Sequence, residues 1–539
     1  MPRLIFVLLF AAGLPAWAAA GKPDTAQAIN RIVDEELNHS ELAETGEYLD
    51  DRIGGRMTNS PQMRAAESWA IERFRTAGLK NVRRQGYEFG RGWAIDHASV
   101  RMLTPHVLEL RAIPVAWTPP TDGTLKGEII VAPMARARDF EKWKGKLRGK
   151  IVLVTKPDEG SEPDAAPFRR LSAEDLGKLE YRQPQSSEVS RERAAQHDRF
   201  AAKRDAFLKA EGALAWARMS YRDGSLLHGE GYAHERGATP SLPGIEIAAE
   251  DYRRLARLEK AGVTPLLEVT SAVRFYDDDP QAYNILADIP GRDAKAGYVM
   301  AGAHLDSWVA GDGAADNGAG SIVVLEAARV LARTGVTPKR TMRFALWSGE
   351  EQGLLGSLAY VHQFLADRPA ITDPEKAKIN PYYTWTTRWP ITARPGHNEL
   401  VAYFNLDNGS GKVRGIYTEG NLAVVPIFRD WLAPFASMGA TTVATSPTGG
   451  TDHVFMQSVG IPGFQFIQDP LDYGSRVHHS NLDTYDHLKI ADLKQATIIL
   501  ASFMLQAAER DEPLPRMPLP TQPKETNPYS YDTADDEEH

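Results

Sequence analysis

The chain has no cysteine among its 539 residues. It therefore has no disulfide, no thiolate ligand for zinc, no cysteine nucleophile and no cysteine for a lipoprotein anchor. Net positive charge is lacking too: the formal charge is -9, whereas a nucleic-acid-binding protein usually presents a basic face. Small molecules or short peptides are therefore the expected partners, and nucleic acid is not.

Long hydrophobic runs are also missing after the N-terminus, where no segment reaches the roughly 18 apolar residues that a membrane span needs. At the N-terminus, MPRLIFVLLFAAGLPAWAAAGKPD combines the basic Arg3, an apolar stretch over 4–14 and small residues at Ala16 and Ala18. This combination predicts a secretory signal peptide over residues 1–20; a buried first helix is the alternative. The expected protein is exported without a membrane span, to a bacterial periplasm or outside the cell.

Hydrophobic residues make up 42% of the chain, which is enough for a large core and predicts at least two domains. The first part contains the helical pattern PQMRAAESWAIERFRTAGL, which leads into a strand. Two short β runs follow at 127–132 and 149–155, separated by a charged connection. The stretch 159–209 is rich in charge and poor in large apolar side chains, which predicts a solvated helical insertion or mobile loop outside the core.

From about Asp278 onward, strand patterns alternate with helix patterns. The strand segments are AYNILADI, AGYVMAGA, TMRFALW, ELVAYFNL and PGFQFI, and the helical segments are AGSIVVLEAARVLART, GLLGSLAYVHQFLAD and LKQATIILASFMLQAAE. This alternation predicts an α/β fold with a mostly parallel central sheet and helices on both faces. After about Pro513 the chain is rich in proline and then acidic, so we expect a poorly ordered tail over 513–539.

Acidic and histidine side chains follow the ends of the predicted strands. His304 opens the segment HLDSWVAGDGAADNGAG directly after one strand, Glu350 and Glu351 follow the next, and Asp407 follows another. His479 lies about twelve residues after PGFQFI. Because ligands of a mostly parallel sheet bind at the carboxyl ends of its strands, we expect these side chains to converge at one edge.

Histidines and carboxylates without a thiolate form a ligand set that suits zinc, with manganese or cobalt as second choices. The set contains more ligands than one ion needs, which suggests two ions that share a carboxylate. Asp316 in the glycine-rich loop is the natural bridge between them. Asp306 is placed to accept the free ring N–H of His304. Taken singly, Glu350 and Glu351 fit the start of a helix and Asp316 fits a helix cap. These simpler interpretations do not explain the whole set at successive strand ends.

Five motifs in order, HLDSW with GAADNGAG, WSGEEQGLLGS, FNLDNGSG, GTDH and HHSNLDTYD, resemble the di-zinc exopeptidase family that includes bacterial leucyl aminopeptidases and carboxypeptidase Q. The resemblance spans about residues 21–510 and implies the zinc exopeptidase fold. It places a catalytic metallopeptidase domain at 21–118 and 273–512. The segment 119–272, which interrupts that domain and carries the charged insertion, is similar to the smaller, β-rich protease-associated domain of many members.

The resemblance also implies a role for each matching residue. The implied metal ligands are His304, Asp316, Glu351, Asp407 and His479, with Asp316 bridging two zinc ions. Glu350 matches the general base and Asp306 the acid beside His304, and the bond from Asp316 to Asn317 matches a cis peptide. His478 stands where many members have a tyrosine, so His478 or Tyr473 is the candidate donor to the oxyanion.

The function that the resemblance implies is hydrolysis of short peptides by an exported di-zinc metallo-exopeptidase, most simply an aminopeptidase. A carboxypeptidase or dipeptidase of the carboxypeptidase Q type is the alternative, which the paired histidines of HHSNLDTYD favour. A glutaminyl cyclase shares the fold but uses one zinc ion, and a non-enzymatic binding protein on this scaffold would be expected to lose ligands. The side-chain preference, the native metal and the oligomeric state are left open.

Overall fold

The computed structural model describes residues 24–161, 165–180, 191–374, 376–519 and 521–522. The expected signal peptide and the end of the acidic tail lie outside these residues. None of the helices in the described ranges combines the length and the apolar character that a membrane span requires.

The described residues form two large sheets and one small one. The strands are β1 (Lys80–Glu88), β2 (Gly92–Thr104), β3 (Leu108–Leu110), β4 (Ala112–Pro114), β5 (Leu125–Val131), β6 (Lys150–Leu153), β7 (Ala215–Met219), β8 (Gly244–Ile247), β9 (Leu266–Tyr276), β10 (Gln281–Ile289), β11 (Tyr298–His304), β12 (Thr341–Trp347), β13 (Ala366–Asp367), β14 (Thr392–Ala393), β15 (Leu400–Asn405), β16 (Val413–Tyr417), β17 (Thr442–Ala444) and β18 (Gly463–Gln468).

Helices lie mainly between the strands of the first large sheet and at both ends of the chain. The α-helices are α1 (Thr25–His39), α2 (Leu42–Glu47), α3 (Pro61–Thr76), α4 (Phe140–Trp143), α5 (Ala173–Glu180), α6 (Arg191–Ala210), α7 (Ala249–Lys260), α8 (Ala319–Arg333), α9 (Leu355–Tyr360), α10 (Pro381–Thr384), α11 (Gly396–Glu399), α12 (Val425–Leu432), α13 (Val454–Gln457) and α14 (Ile490–Glu509).

The first large sheet, called here the central sheet, has the strand order β1-β10-β12-β11-β15-β18-β16-β17. Its middle strands β12, β11, β15 and β18 run parallel, as expected, whereas the pairs β1 with β10, β10 with β12, and β16 with β18 are antiparallel. Because β16 and β17 also pair in parallel, the sheet is mostly parallel, as expected, with antiparallel pairs toward its two edges. Only residues 290–297 join β10 to β11, which is too short for the helical crossover that a parallel connection needs.

Helices cover both faces of the central sheet, and this confirms the α/β expectation. On one face α8 and α14 pack together, and side chains such as Ile322 and Ile499 are fully buried there. On the other face Leu358, Trp385 and Phe455 belong to a second apolar cluster. All five strands and the three helices expected after 278 are present; the short strands β16 and β17 were not expected from the sequence.

The second large sheet has the order β3-β2-β9-β5-β6-β7-β8-β4, and we call the part of the chain that forms it the second lobe. The two β runs expected from the sequence correspond to β5 and β6. The sheet starts earlier than residue 119 and ends later than residue 272, because β2 pairs with β9 from Gly92 with Tyr276 to Thr104 with Leu266. Along the chain β2 is the first strand of the lobe and β9 the last, so this antiparallel pair joins the beginning and the end of the segment that forms the lobe.

Two segments are better packed than the sequence suggested. In the charged insertion, Leu176 of α5 is buried against Ala444 and Ile467 of the central sheet, so part of the insertion contributes to a core. At the start of the tail, Leu514 is buried, and Arg516 donates to the backbone carbonyl of Leu400 at 2.6 Å. A few apolar and backbone-directed contacts therefore order segments whose overall composition is polar or rich in proline.

Candidate metal centre and active site

The side chains that follow the central strands meet at one edge of the sheet, as expected. His304 is the last residue of β11, Glu350 and Glu351 follow β12, and Asp407 follows β15. Because these strands are parallel, their carboxyl ends lie together. His479 reaches the same place from the loop between β18 and α14.

His304 is surrounded by carboxylates. Its Nε2 lies 3.3 Å from Oδ1 of Asp316, 3.3 Å from Oδ1 of Asp407 and 3.9 Å from Oε2 of Glu350. The ring is fully buried, and the three carboxylates are buried as well. His304, Asp316 and Asp407 form one group whose donor atoms can bind the same metal ion.

A second group lies on the other side of Asp316. Nε2 of His479 is 3.3 Å from Oδ2 of Asp316 and 3.0 Å from Oε2 of Glu351. Asp316 therefore turns one carboxylate oxygen toward His304 and the other toward His479. This is the placement that a bridging ligand between two ions requires.

Sequence reasoning missed the residues that hold the Asp316 loop. Asp483 accepts the backbone N–H groups of Ala315 and Asp316 at 2.6 and 2.9 Å. The buried guanidinium of Arg56 donates to the carbonyls of Asp312 and Gly313 at 2.6 and 2.7 Å. Both come from segments distant in sequence, although Asp483 lies inside the motif HHSNLDTYD and was visible there as an unassigned acid.

The backbone around Asp316 is unusual, as the resemblance implied. The peptide bond from Asp316 to Asn317 is cis. The side chain of Asn317 donates to the carbonyl of Leu406, next to Asp407, and accepts the N–H of Gly320 at 2.9 Å. The loop is thus tied both to the following helix and to the end of β15.

Asp306 has a different role from the one expected. The Nδ1 atom of His304 lies 2.9 Å from the backbone carbonyl of Asp306, whereas the carboxylate is 3.8 Å away. The Asp306 carboxylate instead accepts the backbone N–H groups of Glu350 and Glu351, both at 3.3 Å, and the hydroxyl of Thr58 at 3.0 Å. The carbonyl therefore orients the histidine and the carboxylate positions the two glutamates.

His478 lies at the rim of the candidate centre. Its Nε2 is 3.5 Å from Oδ2 of Asp316, and 34% of its side chain is exposed. The ring stacks on His479 with 3.7 Å between centroids and meets the ring of Tyr473 edge-on at 4.9 Å. His478 is thus better placed to face a substrate than the deeply buried His304.

Burial raises the pKa values of the two glutamates, whereas the neighbouring histidines lower that of Asp316. Burial raises the pKa of Glu350 well above its ordinary value, and the nearby Asp407 carboxylate adds to this although His304 opposes it. Burial also raises the pKa of Glu351 to about 7. For Asp316, burial works in the same direction, but the hydrogen bond with His304 and the charges of His478 and His479 hold its pKa below the ordinary value.

The residues present fit divalent cations. Among the described residues, neither the Oδ2 atom of Asp316 nor the Oε1 atom of Glu351 has a hydrogen bond, although both are buried. Buried carboxylate oxygens without a hydrogen bond are costly unless a positive charge such as a metal ion accompanies them. The donors are imidazole nitrogens and carboxylate oxygens, the set that zinc, manganese and cobalt accept. The arrangement can therefore bind metal and promote hydrolysis.

Comparison with known proteins agrees with this geometry. Residues 284–504 match the family model described as Peptidase family M28. Carboxypeptidase Q of Mus musculus is 25% identical over 475 residues, which are 87% of this chain and 86% of the mouse protein.

Two solved structures share the fold. A peptidase M28 precursor from Shewanella amazonensis is similar with a TM-score of 0.65 and 20% identity, and the match covers 92% of this chain and 99% of that one. A zinc aminopeptidase from Bacillus subtilis, BSAP, has a TM-score of 0.56 and 18% identity over 87% of this chain and 95% of its own. The match of residues 284–504 to Peptidase family M28, the shared fold and the converging histidines and carboxylates therefore agree with one another.

Proposed function

We propose that the chain is an exported di-zinc metallo-exopeptidase that hydrolyses short peptides, and that its first candidate activity is that of an aminopeptidase. The observation that carries the proposal is the Asp316 carboxylate, which faces His304 with one oxygen and His479 with the other. A histidine and an acidic residue on each side of a shared carboxylate are what two metal ions need.

The proposed ligands fall into two groups. Asp407 joins His304 on one side, Glu351 lies 3.0 Å from His479 on the other, and Asp316 contributes to both. The donor atoms of His478 also lie close enough to Asp316 and His479 to share an ion with them. The Bacillus subtilis relative in structure is a zinc aminopeptidase, which favours zinc here, with manganese or cobalt as possible substitutes. When bound, the two ions would supply Lewis acidity and lower the pKa of a water molecule.

Glu350 is the proposed general base. It is buried, its carboxylate lies beside His304, and it is not needed to complete either ligand group. A carboxylate with a raised pKa can take a proton from the attacking water and then deliver it to the leaving amine nitrogen. The Asp306 carboxylate orients this base by accepting the backbone N–H of Glu350. His478, at the rim, is the proposed donor to the oxyanion of the attacked carbonyl.

A specific observation favours the second candidate, a carboxypeptidase or dipeptidase. Arg222 from the second lobe donates to the backbone carbonyl of His478 at 2.9 Å and is only half-buried. A guanidinium beside the site can attract the free carboxylate of a dipeptide. The relative carboxypeptidase Q also matches this chain over nearly its whole length.

Access to the site is part of the proposal, with the second lobe, centred on 119–272, acting as a protease-associated domain. Tyr232 of this lobe is 51% exposed and meets Trp308 edge-on at 5.6 Å, and Trp308 in turn lies 6.1 Å from His479. We infer that these rings narrow the approach to the candidate metal centre. Short peptides are therefore the proposed substrates, and folded proteins are not.

Metal analysis and a peptide panel test the proposal. Purified protein saturated with zinc is expected to contain about two ions per chain and to lose activity when a chelator removes them. Full activity with one ion per chain would refute the shared carboxylate. N-blocked, C-blocked and free dipeptides then separate the candidates: an aminopeptidase needs the free amine, a carboxypeptidase the free carboxylate, and a dipeptidase both.

A further inference from the structure

The second lobe reaches the candidate metal centre through one carboxylate. Oε1 of Glu230, in the loop between β7 and β8, lies 2.8 Å from Nδ1 of His479. The two residues are separated by 249 positions in sequence. The opposite ring nitrogen, Nε2, faces Asp316 and Glu351. His479 is therefore held between the second lobe on one side and the candidate metal ligands on the other.

Glu230 has a fixed position because the second sheet holds its backbone. Arg218 of β7 donates to the carbonyl of Glu230 at 2.9 Å and to the carboxylate of Glu246 on β8 at 2.6 Å. That same carboxylate accepts the backbone N–H of His228 at 2.7 Å. At Gly231 a Cβ atom would lie 2.3 Å from the carbonyl oxygen of Ala116, so only glycine allows this close approach.

Further contacts join the same loop to the residues that follow His479. The backbone N–H of Leu227 donates to the side-chain oxygen of Asn481 at 2.8 Å, and the N–H of Asn481 donates to the carbonyl of Leu227 at 3.0 Å. With the bond from Arg222 to the carbonyl of His478, the second lobe holds the chain on both sides of His479.

We propose that Glu230 is a positioning residue through which the second lobe completes the metal centre: its carboxylate accepts the Nδ1 proton of His479 and directs the Nε2 lone pair to a metal ion. This inference rests on the proposed function. A histidine that binds metal commonly donates its other N–H to a carboxylate or carbonyl, which fixes the tautomer and makes the ligand more basic.

The two histidines differ in this respect. The Nδ1 atom of His304 faces a neutral backbone carbonyl from its own strand end, whereas that of His479 faces a charged carboxylate from the other lobe. A charged acceptor increases the basicity of the ring more than a neutral one. The ion held by His479 and Glu351 therefore depends on the second lobe, and the ion held by His304 and Asp407 does not.

Zinc titration of Glu230→Gln tests this dependence, with Tyr221→Phe as the matched control. The Tyr221 hydroxyl donates to the same Oε1 atom of Glu230 at 3.1 Å, so its removal perturbs the pair but leaves the carboxylate. Competition with a chromogenic chelator measures both zinc affinities. We expect Glu230→Gln to weaken the affinity for one zinc ion by about 10- to 100-fold and to leave the affinity for the other ion unchanged. Tyr221→Phe should leave both affinities unchanged.

A second measurement guards against a general folding defect. In the wild-type chain, zinc should slow hydrogen exchange in the loop around Glu230, because two linked equilibria stabilise each other. In Glu230→Gln this protection should fall, while the metal-free variant should still unfold cooperatively, as the metal-free wild type does. The milder Glu230→Asp, which keeps the charge, should recover part of the lost affinity.

Three results would overturn the inference. Wild-type affinity for both ions in Glu230→Gln would show that the carboxylate does not support His479. An equal loss in Tyr221→Phe would assign the effect to the position of the loop and not to the charge of Glu230. Failure of the wild-type chain to bind a second zinc ion would refute the proposed function itself, and the inference with it; this result is distinct because it appears before any variant is compared.

Discussion

The adjacent residues Glu350 and Glu351 offer the sharpest test of the proposed chemistry. Their backbone N–H groups are held alike, each 3.3 Å from the Asp306 carboxylate. Their side chains diverge: Oε2 of Glu350 lies 3.9 Å from Nε2 of His304, whereas Oε2 of Glu351 lies 3.0 Å from Nε2 of His479. Two substitutions of the same kind, one position apart, should therefore have different effects.

The expected magnitudes follow from these positions. Glu350→Gln keeps the shape of the side chain but cannot accept a proton, and a general base contributes about 10²- to 10⁴-fold to the rate. We therefore expect kcat to fall by that factor, or about 3–5 kcal/mol in activation free energy, while both zinc ions are retained. Glu351→Gln replaces an anionic ligand with a neutral amide, so one zinc ion should bind at least about 100-fold more weakly.

Zinc titration followed by turnover measured at saturating zinc distinguishes the two roles. Glu350→Gln should show two ions and little activity at every zinc concentration, together with normal binding of a product inhibitor. Glu351→Gln should recover activity as zinc is added. If Glu350→Gln loses an ion and Glu351→Gln does not, the two roles are reversed and the proposed mechanism is wrong.

Three other predictions concern the oxyanion donor, substrate access and stability. His478→Ala should lower kcat by about 100-fold with the zinc content unchanged, because a donor near the oxyanion is lost; an unchanged kcat would leave His478 a packing role. Casein should be cleaved slowly and only from its ends if the second lobe narrows the approach, so rapid internal cleavage, seen as large fragments on a gel, would contradict the lobe's proposed role. Glu36 is buried beside Glu326, and burial raises the pKa of Glu36 from 4.5 to about 8. At low pH the side chain is protonated and burial costs little, so the folded state loses stability as the pH rises from about 4.5 to about 8. Glu36→Gln should therefore have a higher free energy of unfolding than the wild type at pH 8, by on the order of 4 kcal/mol, and hence a higher Tm. The difference should disappear near pH 4, and a constant difference would refute the assignment.

The sequence by itself determined the α/β class and the residues of the candidate centre. Apolar strand patterns are local, and the acids and histidines stand directly after them, at His304, Glu350, Glu351 and Asp407. Parallel strands bring their carboxyl ends together, so convergence at one edge followed from order along the chain. Asp316 and His479 lie in loops farther from the strand ends, and the resemblance of the five motifs implied a role for each of them.

Only the tertiary structure decided which groups support that centre. Asp306 turns its carboxylate to the two glutamates and its carbonyl to His304, a choice set by backbone geometry that residue type does not reveal. Arg56 and Glu230 reach the site from distant segments with no local pattern of their own. Likewise, only the pairing of β2 with β9 shows that the second sheet starts at Gly92, earlier than the sequence indicated. Contacts between segments far apart in sequence depend on how whole elements pack, and that packing is a property of the folded chain.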